Sequence, residues 1–531
     1  MPAPAPHHRP DPRIHSTPRH RRVPRLLRGP RRLRGLRLGP VSRLWPPVGP
    51  WTALRRGAVP PAGRRRPGLL LLVLGLVLSL LVACTGGQAG GGPAGGGEGA
   101  APAGTAGDVP GDIVVASGRD VTGKNGIRQR LIDAWNREQE GTGYRARLVE
   151  LPGSADEQRS QLLGALQSGS SAYDVVNLDV TWVPEFAAAG LVRPLPPELV
   201  EDDDVIDSVA STAWWEDAVY AVPFNSDVGL LYYRRDHLRQ AGVQRPDLTA
   251  ALDWGQLRDL INTVDDHTPG PSGRERGWTT QLAAYEGRTV NAVEAFASTA
   301  DDFTLTDERG RYAAGVEELA RGIAELRRRT EVSYTLGDAV GSDEAASLGD
   351  FADGRTTFLR HWPYVYRTLY QSFGAGQLGV TALPGRAVLG GQNLAVTADS
   401  RRSAKAVELI GYLTGRQSER CLLDAGFAAT RASAYTDDGL TCPVPGPSPL
   451  AAPTGERPDR MPRDAAGRPA YARPVLLSAL KEAVHRPRTP LYGAFTQTFT
   501  TVLGALFADQ PPDDATLARD LDAALRKALP D

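Results

Sequence analysis

Several stretches of this chain place a carboxylate beside a large flat aromatic at a position where the backbone turns. They are Asp179 with Trp182 in NLDVTW, Tyr285-Glu286-Gly287, His361-Trp362-Pro363-Tyr364, and Leu491-Tyr492. An aromatic face stacks on the apolar face of a ring, while carboxylates, amides and guanidinium groups take its hydroxyls. The set therefore suits recognition of a polyhydroxylated ring such as a sugar. Each aromatic taken alone also reads as core, which is where most such residues go. Trp182, one helical turn into its helix, reads equally as a rim contact or as lobe core.

Other chemistries find less support. The run from Gly118 to Lys124 fits G-x-x-x-x-G-K between a strand and a helix, but Asn125 stands where a phosphate-binding loop needs Ser or Thr for magnesium. Only four His follow Cys84 (His237, His267, His361, His485), none in a G-x-S-x-G or H-E-x-x-H setting. Metal-ligand spacing is absent, so no metal or cofactor is expected. Acids are plentiful, and a pair of them working as a glycosidase's acid and base stays open as an alternative.

The elements that would carry these residues alternate. Residues 113–116 read as a strand, Ile127, Leu131 and Trp135 recur at helical spacing, 144–151 alternates as a strand, and 155–167 is helical. The strand 173–178 leads into the helix of the NLDVTW stretch, closed by Gly190. This rhythm predicts a parallel sheet with helices on both faces, and such sheets bind ligands at the carboxyl ends of their strands, where Asp179 falls. Further on, Gly229–Tyr233 reads as a strand, residues to about 374 as mostly helical, 394–396 as a strand, and 403–413 as a helix. Residues 437–473 form a Pro-rich insertion, and amphipathic helical segments run to the end.

Charge is divided unevenly along the 531 residues. The first 66 hold 17 Arg and one acid, leaving 44 of the 61 basic residues against 60 of the 61 acidic ones from Cys84 onward, a net charge of roughly −16. An acidic body argues against nucleic-acid binding. After Arg64-Arg65-Arg66 comes the apolar run LLLLVLGLVLSLLVA and then Cys84. A basic region, a short apolar segment and a small residue before the break describe a secretory signal peptide over 1–83. Leu81-Val82-Ala83-Cys84 resembles a bacterial lipobox, with Cys84 as the acylated residue that holds the chain to the extracytoplasmic face of the membrane. Residues 84–111 read as a flexible Gly/Ala-rich tether. Cys421 and Cys442 remain as an even pair in an oxidising compartment, open to a disulfide or to two free thiols.

The blocks DVVNLDVTWVPEFAAAGLVRPL, YAVPFNSDVGLLYYRRDHL, LAAYEGRTVNAVEAF, FADGRTTFLRHWPYVY, LGGQNLAVT, AATRASAY and HRPRTPLY occur in this order. Together they resemble the extracellular solute-binding lipoproteins of ABC sugar importers, of the actinobacterial trehalose/maltose type. The resemblance covers nearly all of the chain from Asp112. It implies an α/β fold of two lobes, 112–224 with 388–432 and 225–387 with 433–531, closing as a monomer on a sugar in the cleft and delivering it to a membrane permease. It also implies site residues. Asp179, Asp227 and Glu286 would accept hydroxyls, Trp362 and Tyr492 would offer stacking faces, and Arg431 would donate near the second hinge. A Gly390-Gly391 turn would bring backbone close to the sugar. Gln392 stands where many relatives carry an aromatic after the two glycines, so an amide would contact the sugar in place of a stacking face.

Overall fold

The structure is a computed structural model that describes residues 108–119, 121, 126–169, 171–248, 252–267, 274–444 and 459–529. The signal-peptide region, Cys84, the tether up to residue 107 and Gly123-Lys124 lie outside the described residues. Residues 101–531 form a compact unit by themselves.

In chain order the first elements are β1 (Gly111–Gly118), α1 (Ile127–Glu138), β2 (Tyr144–Leu151), α2 (Ala155–Gln167), β3 (Val175–Asp179), α3 (Val183–Ala188) and β4 (Val222–Val228). Then come β5 (Leu230–Arg234), β6 (Arg276–Thr279), α4 (Glu286–Ala297), α5 (Val316–Arg329), β7 (Thr356–His361), β8 (Leu378–Ala382) and β9 (Leu389–Val396). The labelled helices after these are α6 (Ser403–Leu413), α7 (Arg416–Ala425), α8 (Tyr492–Leu503) and α9 (Asp514–Ala528).

Local sequence explains the elements that frame the site. Helix α1 buries Ile127, Leu131 and Trp135 against the first sheet at the 3.6-residue period. Helix α2 opens on a capping box in which Ser154 and Glu157 exchange side-chain and backbone hydrogen bonds. Helix α3 has Pro184 in its first turn and stops at Gly190, whose φ of +66° closes it.

Two sheets form the two lobes. The first has the order β2-β1-β3-β9-β4 and the second β8-β5-β7-β6. The expectation of a parallel sheet holds for β2-β1-β3 and fails at β9, which runs antiparallel to both β3 and β4. Strand β9 enters from the second lobe, so its direction is set by the crossover rather than by a helix of the first lobe. Between residues 235 and 374, read as mostly helical, the chain also builds β6 and β7. Strand β7 is buried along its whole length although it carries Thr356, Thr357, Arg360 and His361, so no alternation marks it.

The chain passes between the lobes where β4 gives way to β5 across the single residue Gly229, where β8 returns to β9, and again between α7 and α8. The expected division after Phe224 falls inside β4, because this strand stays paired with β9 to Val228. Asp227 accordingly lies before the crossover. Gly390 and Gly391, expected as a turn, sit within β9. Helices α8 and α9 pack on α4 and α5 through Phe296, Leu319, Ile323, Phe495, Phe499 and Leu521. Cys421 on α7 is bonded to Cys442 in a disulfide, with the Cα atoms 4.6 Å apart, and this ties the start of the Pro-rich insertion to the first lobe. The described residues between 437 and 471 contribute no named helix or strand.

Gly391 has a φ of +119°, and a Cβ there would lie 2.5 Å from the Asn225 carbonyl oxygen and 2.7 Å from Ser226 Cα. Gly164, exposed within α2, has no neighbour within 4 Å of such a Cβ. In urea unfolding, Gly391→Ala should destabilise by on the order of 2–4 kcal/mol through strain and backbone contact. Gly164→Ala should stabilise by about 0.5–1 kcal/mol through helix propensity. Equal small effects would contradict the packing of β9 between β3 and β4.

Candidate functional site

The register of three strands gathers the site. Gln392 on β9 pairs with Asp179 at the end of β3 and with Asn225 on β4, and Gly390 pairs with Asp227. The Gly391 carbonyl accepts the Val180 N–H at 3.1 Å, which holds the start of the loop after β3 against β9. Side chains at Gly390 and Gly391 would fill this edge. A Cβ on Gly390 would lie 3.1 Å from Asp227 Cβ and 3.2 Å from the Trp362 ring. One edge of the first sheet thus carries Asp179, Asp227, Gly390, Gly391 and Gln392, with Trp362 of the second lobe touching it.

Asp179 forms a local turn, its Oδ1 accepting the Thr181 N–H at 2.9 Å and the Thr181 hydroxyl at 2.8 Å. That same oxygen takes Nη2 of Arg486 at 2.8 Å. Nη1 of Arg486 donates to Glu286 Oε1 at 2.7 Å. Glu286 begins α4 and is buried. Its Oε1 also accepts the Tyr492 hydroxyl, and its Oε2 accepts the Thr496 hydroxyl at 2.9 Å. One guanidinium, only 3% exposed, therefore joins a carboxylate of the first lobe to one of the second.

Among the described residues Asp227 has no such partner. Its Oδ1 is buried without a hydrogen bond. Burial pushes its carboxyl up to about 7, with Arg128 opposing the rise and Asp179 adding to it. Burial also raises Glu286, against the pull of Arg486 and with a push from Asp179. Trp362 is half-buried, one face lying on the Arg360 guanidinium at 3.9 Å, and its indole N–H donates to Glu344 at 3.4 Å. Tyr285 donates to the same Glu344 carboxylate at 2.7 Å.

Gln392 belongs to a second network beneath this edge. Its Oε1 accepts from Arg128 Nη2 and from Asn177 Nδ2, both at 2.8 Å. Arg128 also donates to Asn225 at 2.9 Å and to Ser117 at 2.9 Å, its guanidinium lying between the rings of Phe224 and Phe427.

Besides Gln392, whose amide oxygen is taken by Arg128 and Asn177, two sequence expectations meet a different geometry. Tyr492 offers no open face: it opens α8 pointing inward, 1% exposed, with its ring 5.7 Å from Phe495 and its hydroxyl on Glu286. Arg431 is not brought to the cluster. Its guanidinium donates to the Thr414 carbonyl at 2.7 Å and pairs with Asp202, because the loop 202–204 crosses the start of the helix Ala432–Thr436. Trp182 is core, packed with Leu178 and Phe186. Sequence reading passed over Arg486, Arg128, Asn177 and Asn225. Arg486 stands inside the HRPRTPLY block, and the two Asn stand beside Asp179 and Asp227 in theirs, so those three were visible by position. Arg128 carried no signal. The segment 483–488 also borders a cleft of about 1050 Å³ lined by Trp214, Trp215 and residues 303–309. Asp179, Asp227, Glu286 and Trp362 are not among its lining residues, but Arg486, which bridges Asp179 and Glu286, is.

Two α/β lobes, exchanging strands at adjacent crossovers and meeting at a polar edge, define the architecture of a two-lobed binding protein. The model of the family described as bacterial extracellular solute-binding protein matches residues 118–419. The chain belongs to that family. It is similar to a probable ABC transporter-binding protein of Deinococcus radiodurans, 26% identical over 333 residues that cover 59% of this chain and 74% of the relative. An uncharacterized lipoprotein of Streptomyces antibioticus is 26% identical over 331 residues, 59% of this chain and 69% of its own. Among solved structures, maltose-bound MalE3 of T. maritima superposes with a TM-score of 0.63 at 21% identity, covering 79% of this chain and 100% of that one. The GacH receptor of Streptomyces glaucescens, solved unliganded and with acarbose, gives 0.60 at 19%, covering 80% and 100%. These likenesses establish the two-lobed fold.

Two expected outcomes follow from the electrostatics. An Asp whose folded pKa is raised costs stability progressively as pH rises from its unfolded value near 3.8 to about 7. Asp227→Asn should thus gain stability over the unsubstituted protein across that window, by on the order of 2–4 kcal/mol at pH 8 relative to pH 4. Urea unfolding of both proteins at several pH values measures this difference, and a pH-independent difference would contradict it. Arg486→Met leaves two neighbouring carboxylates without their cation and should cost about 2–4 kcal/mol at pH 7. Part of that loss should return at lower pH as Glu286 takes up a proton.

Proposed function

We propose that this chain is the receptor of an ABC importer for a small sugar, a disaccharide of the trehalose or maltose kind. It is anchored outside the cell membrane by acylation of Cys84, and it works as a monomer without cofactor. The observation that carries the reading is the convergence of Asp179, Asp227, Glu286 and Trp362 at the edge where the two sheets meet. In this reading the carboxylates accept sugar hydroxyls, and the exposed part of Trp362 stacks on a pyranose face. The lobes comprise 112–228 with 388–432 and 229–387 with 433–531. Ligand in the cleft favours the closed arrangement, which the permease reads.

Support for the sugar comes from the solved relatives that hold maltose and acarbose, and from the stacking and acceptor groups above. Support for the transporter comes from the Deinococcus radiodurans relative, and support for the anchor from Leu81-Val82-Ala83-Cys84 and from the Streptomyces antibioticus lipoprotein.

Isothermal titration with trehalose, maltose, sucrose, glucose and a longer maltodextrin tests the reading, with the sugar assayed afterwards. Saturable binding with the sugar recovered intact is expected. Asp179→Ala should weaken that binding by at least about a hundredfold, the loss of two charge-assisted hydrogen bonds. Cleaved sugar would replace the receptor with a glycoside hydrolase, and binding unaffected by Asp179→Ala would move the site elsewhere.

A further inference from the structure

Glu294 on α4 and Arg360 on β7 form a buried ion pair that none of the proposed ligand contacts includes. Arg360 Nη2 donates to Glu294 Oε1 at 2.6 Å and Nε to Oε2 at 3.1 Å, with side-chain exposures of 1% and 2%. Gln281 fixes the arginine further. It accepts from Nη1 at 3.4 Å, and its amide donates to the Arg360 carbonyl at 3.0 Å and to Ser347 at 2.7 Å.

Two of the three connections between the lobes meet this pair. Glu294 Oε1 accepts the Val388 N–H at 3.2 Å, at the residue where the chain returns to β9. Gly229, the single residue between β4 and β5, lies against the same groups. A Cβ there would be 2.3 Å from Glu294 Oε1 and 2.9 Å from Arg360 Nη2. On its other side the Arg360 guanidinium lies 3.9 Å from the centre of the Trp362 ring. Trp362 in turn meets the Gly390–Asp227 edge of the first lobe. A bidentate arginine–carboxylate pair is planar and directional, so it fixes the groups around it in one geometry.

We propose that the Glu294–Arg360 pair is the joint that ties the Gly229 and Val388 crossovers to the Trp362 platform, so that occupying the cleft and setting the angle between the lobes are one event. Glu294 and Arg360 are positioning residues that act through Gly229, Val388 and Trp362. The inference rests on the receptor reading for its ligand, but its mechanical content concerns the lobes alone.

The test places spin labels at Arg147→Cys and Val332→Cys, exposed positions on the two lobes, in protein beginning at Ala101. Pulsed dipolar spectroscopy then reads the inter-lobe distance distribution with and without trehalose or maltose. Glu294→Gln weakens the pair while keeping its shape. Gly229→Ala displaces it from the backbone side and alters no charge. Arg360→Lys keeps the charge and loses the flat face under Trp362. In each variant that gives the native circular dichroism spectrum, the ligand-free distribution should broaden and sugar affinity should fall by tenfold or more. Distributions identical to the unsubstituted protein would overturn the joint, and a lowered melting temperature alone would assign the pair to stability only. If the unsubstituted protein binds neither sugar, the sugar reading falls while the ligand-free distances still decide the joint.

Discussion

Three carboxylates, Asp179, Asp227 and Glu286, are drawn to one small region, and the charge of Arg486 is what makes their proximity tolerable. Its two terminal nitrogens go to different lobes, one to Asp179 and one to Glu286. Removing charges from water is expensive unless each finds an oppositely charged hydrogen-bonding partner. Arg486 meets that condition for two of the three. Tyr492 and Thr496 complete the shell around Glu286, and for this reason α8 must begin where it does, with its first turns facing the cleft floor. The third carboxylate, Asp227, stands outside this arrangement, and its raised pKa is the electrostatic consequence.

The backbone supplies the second constraint. A strand from the return crossover is threaded antiparallel between β3 and β4, and it can enter there only with glycine at 391, where Asn225 and Ser226 approach within 3 Å of any added Cβ. The polar layer of Arg128, Asn177, Asn225 and Gln392 lies at this insertion. It links side-chain amides of three strands, with Asn177 Oδ1 left without a partner among the described residues, and so ties the register that lines up Asp179 with Asp227. Fold and proposed site share the same residues here: the register that stabilises the first lobe also sets the spacing of Asp179 and Asp227, the proposed hydroxyl acceptors.

Much of this was readable before the structure, and what was missed has physical causes. Strands such as 144–151 and helices such as 155–167 and 403–413 announce themselves by period and capping. Strand β7 does not, because a buried strand carrying Thr, Arg and His in its interior has no alternation to detect. The acids were legible because each sits near Gly, Pro or an aromatic, and Asp179 also ends a strand-like run. Tyr492 was read as a stacking face because sequence shows residue type but not direction, and α8 turns it inward onto Glu286. Arg431 was placed by its position inside the AATRASAY block, whereas its direction is set by Asp202 and Asp204, more than two hundred residues away. Long-range pairings such as Arg486 with Asp179 leave no local pattern.

The central claim is that a solute is held between the lobes by Asp179, Asp227, Glu286 and Trp362. A crystal structure of the protein grown with the sugar that titrates most tightly tests it most directly. The account predicts density for a sugar ring against Trp362 with hydroxyls on Asp179 and Asp227, between lobes in contact through Arg486. Sugar bound elsewhere, such as in the cleft beside Trp214 and residues 303–309, with these four side chains unoccupied, would contradict it.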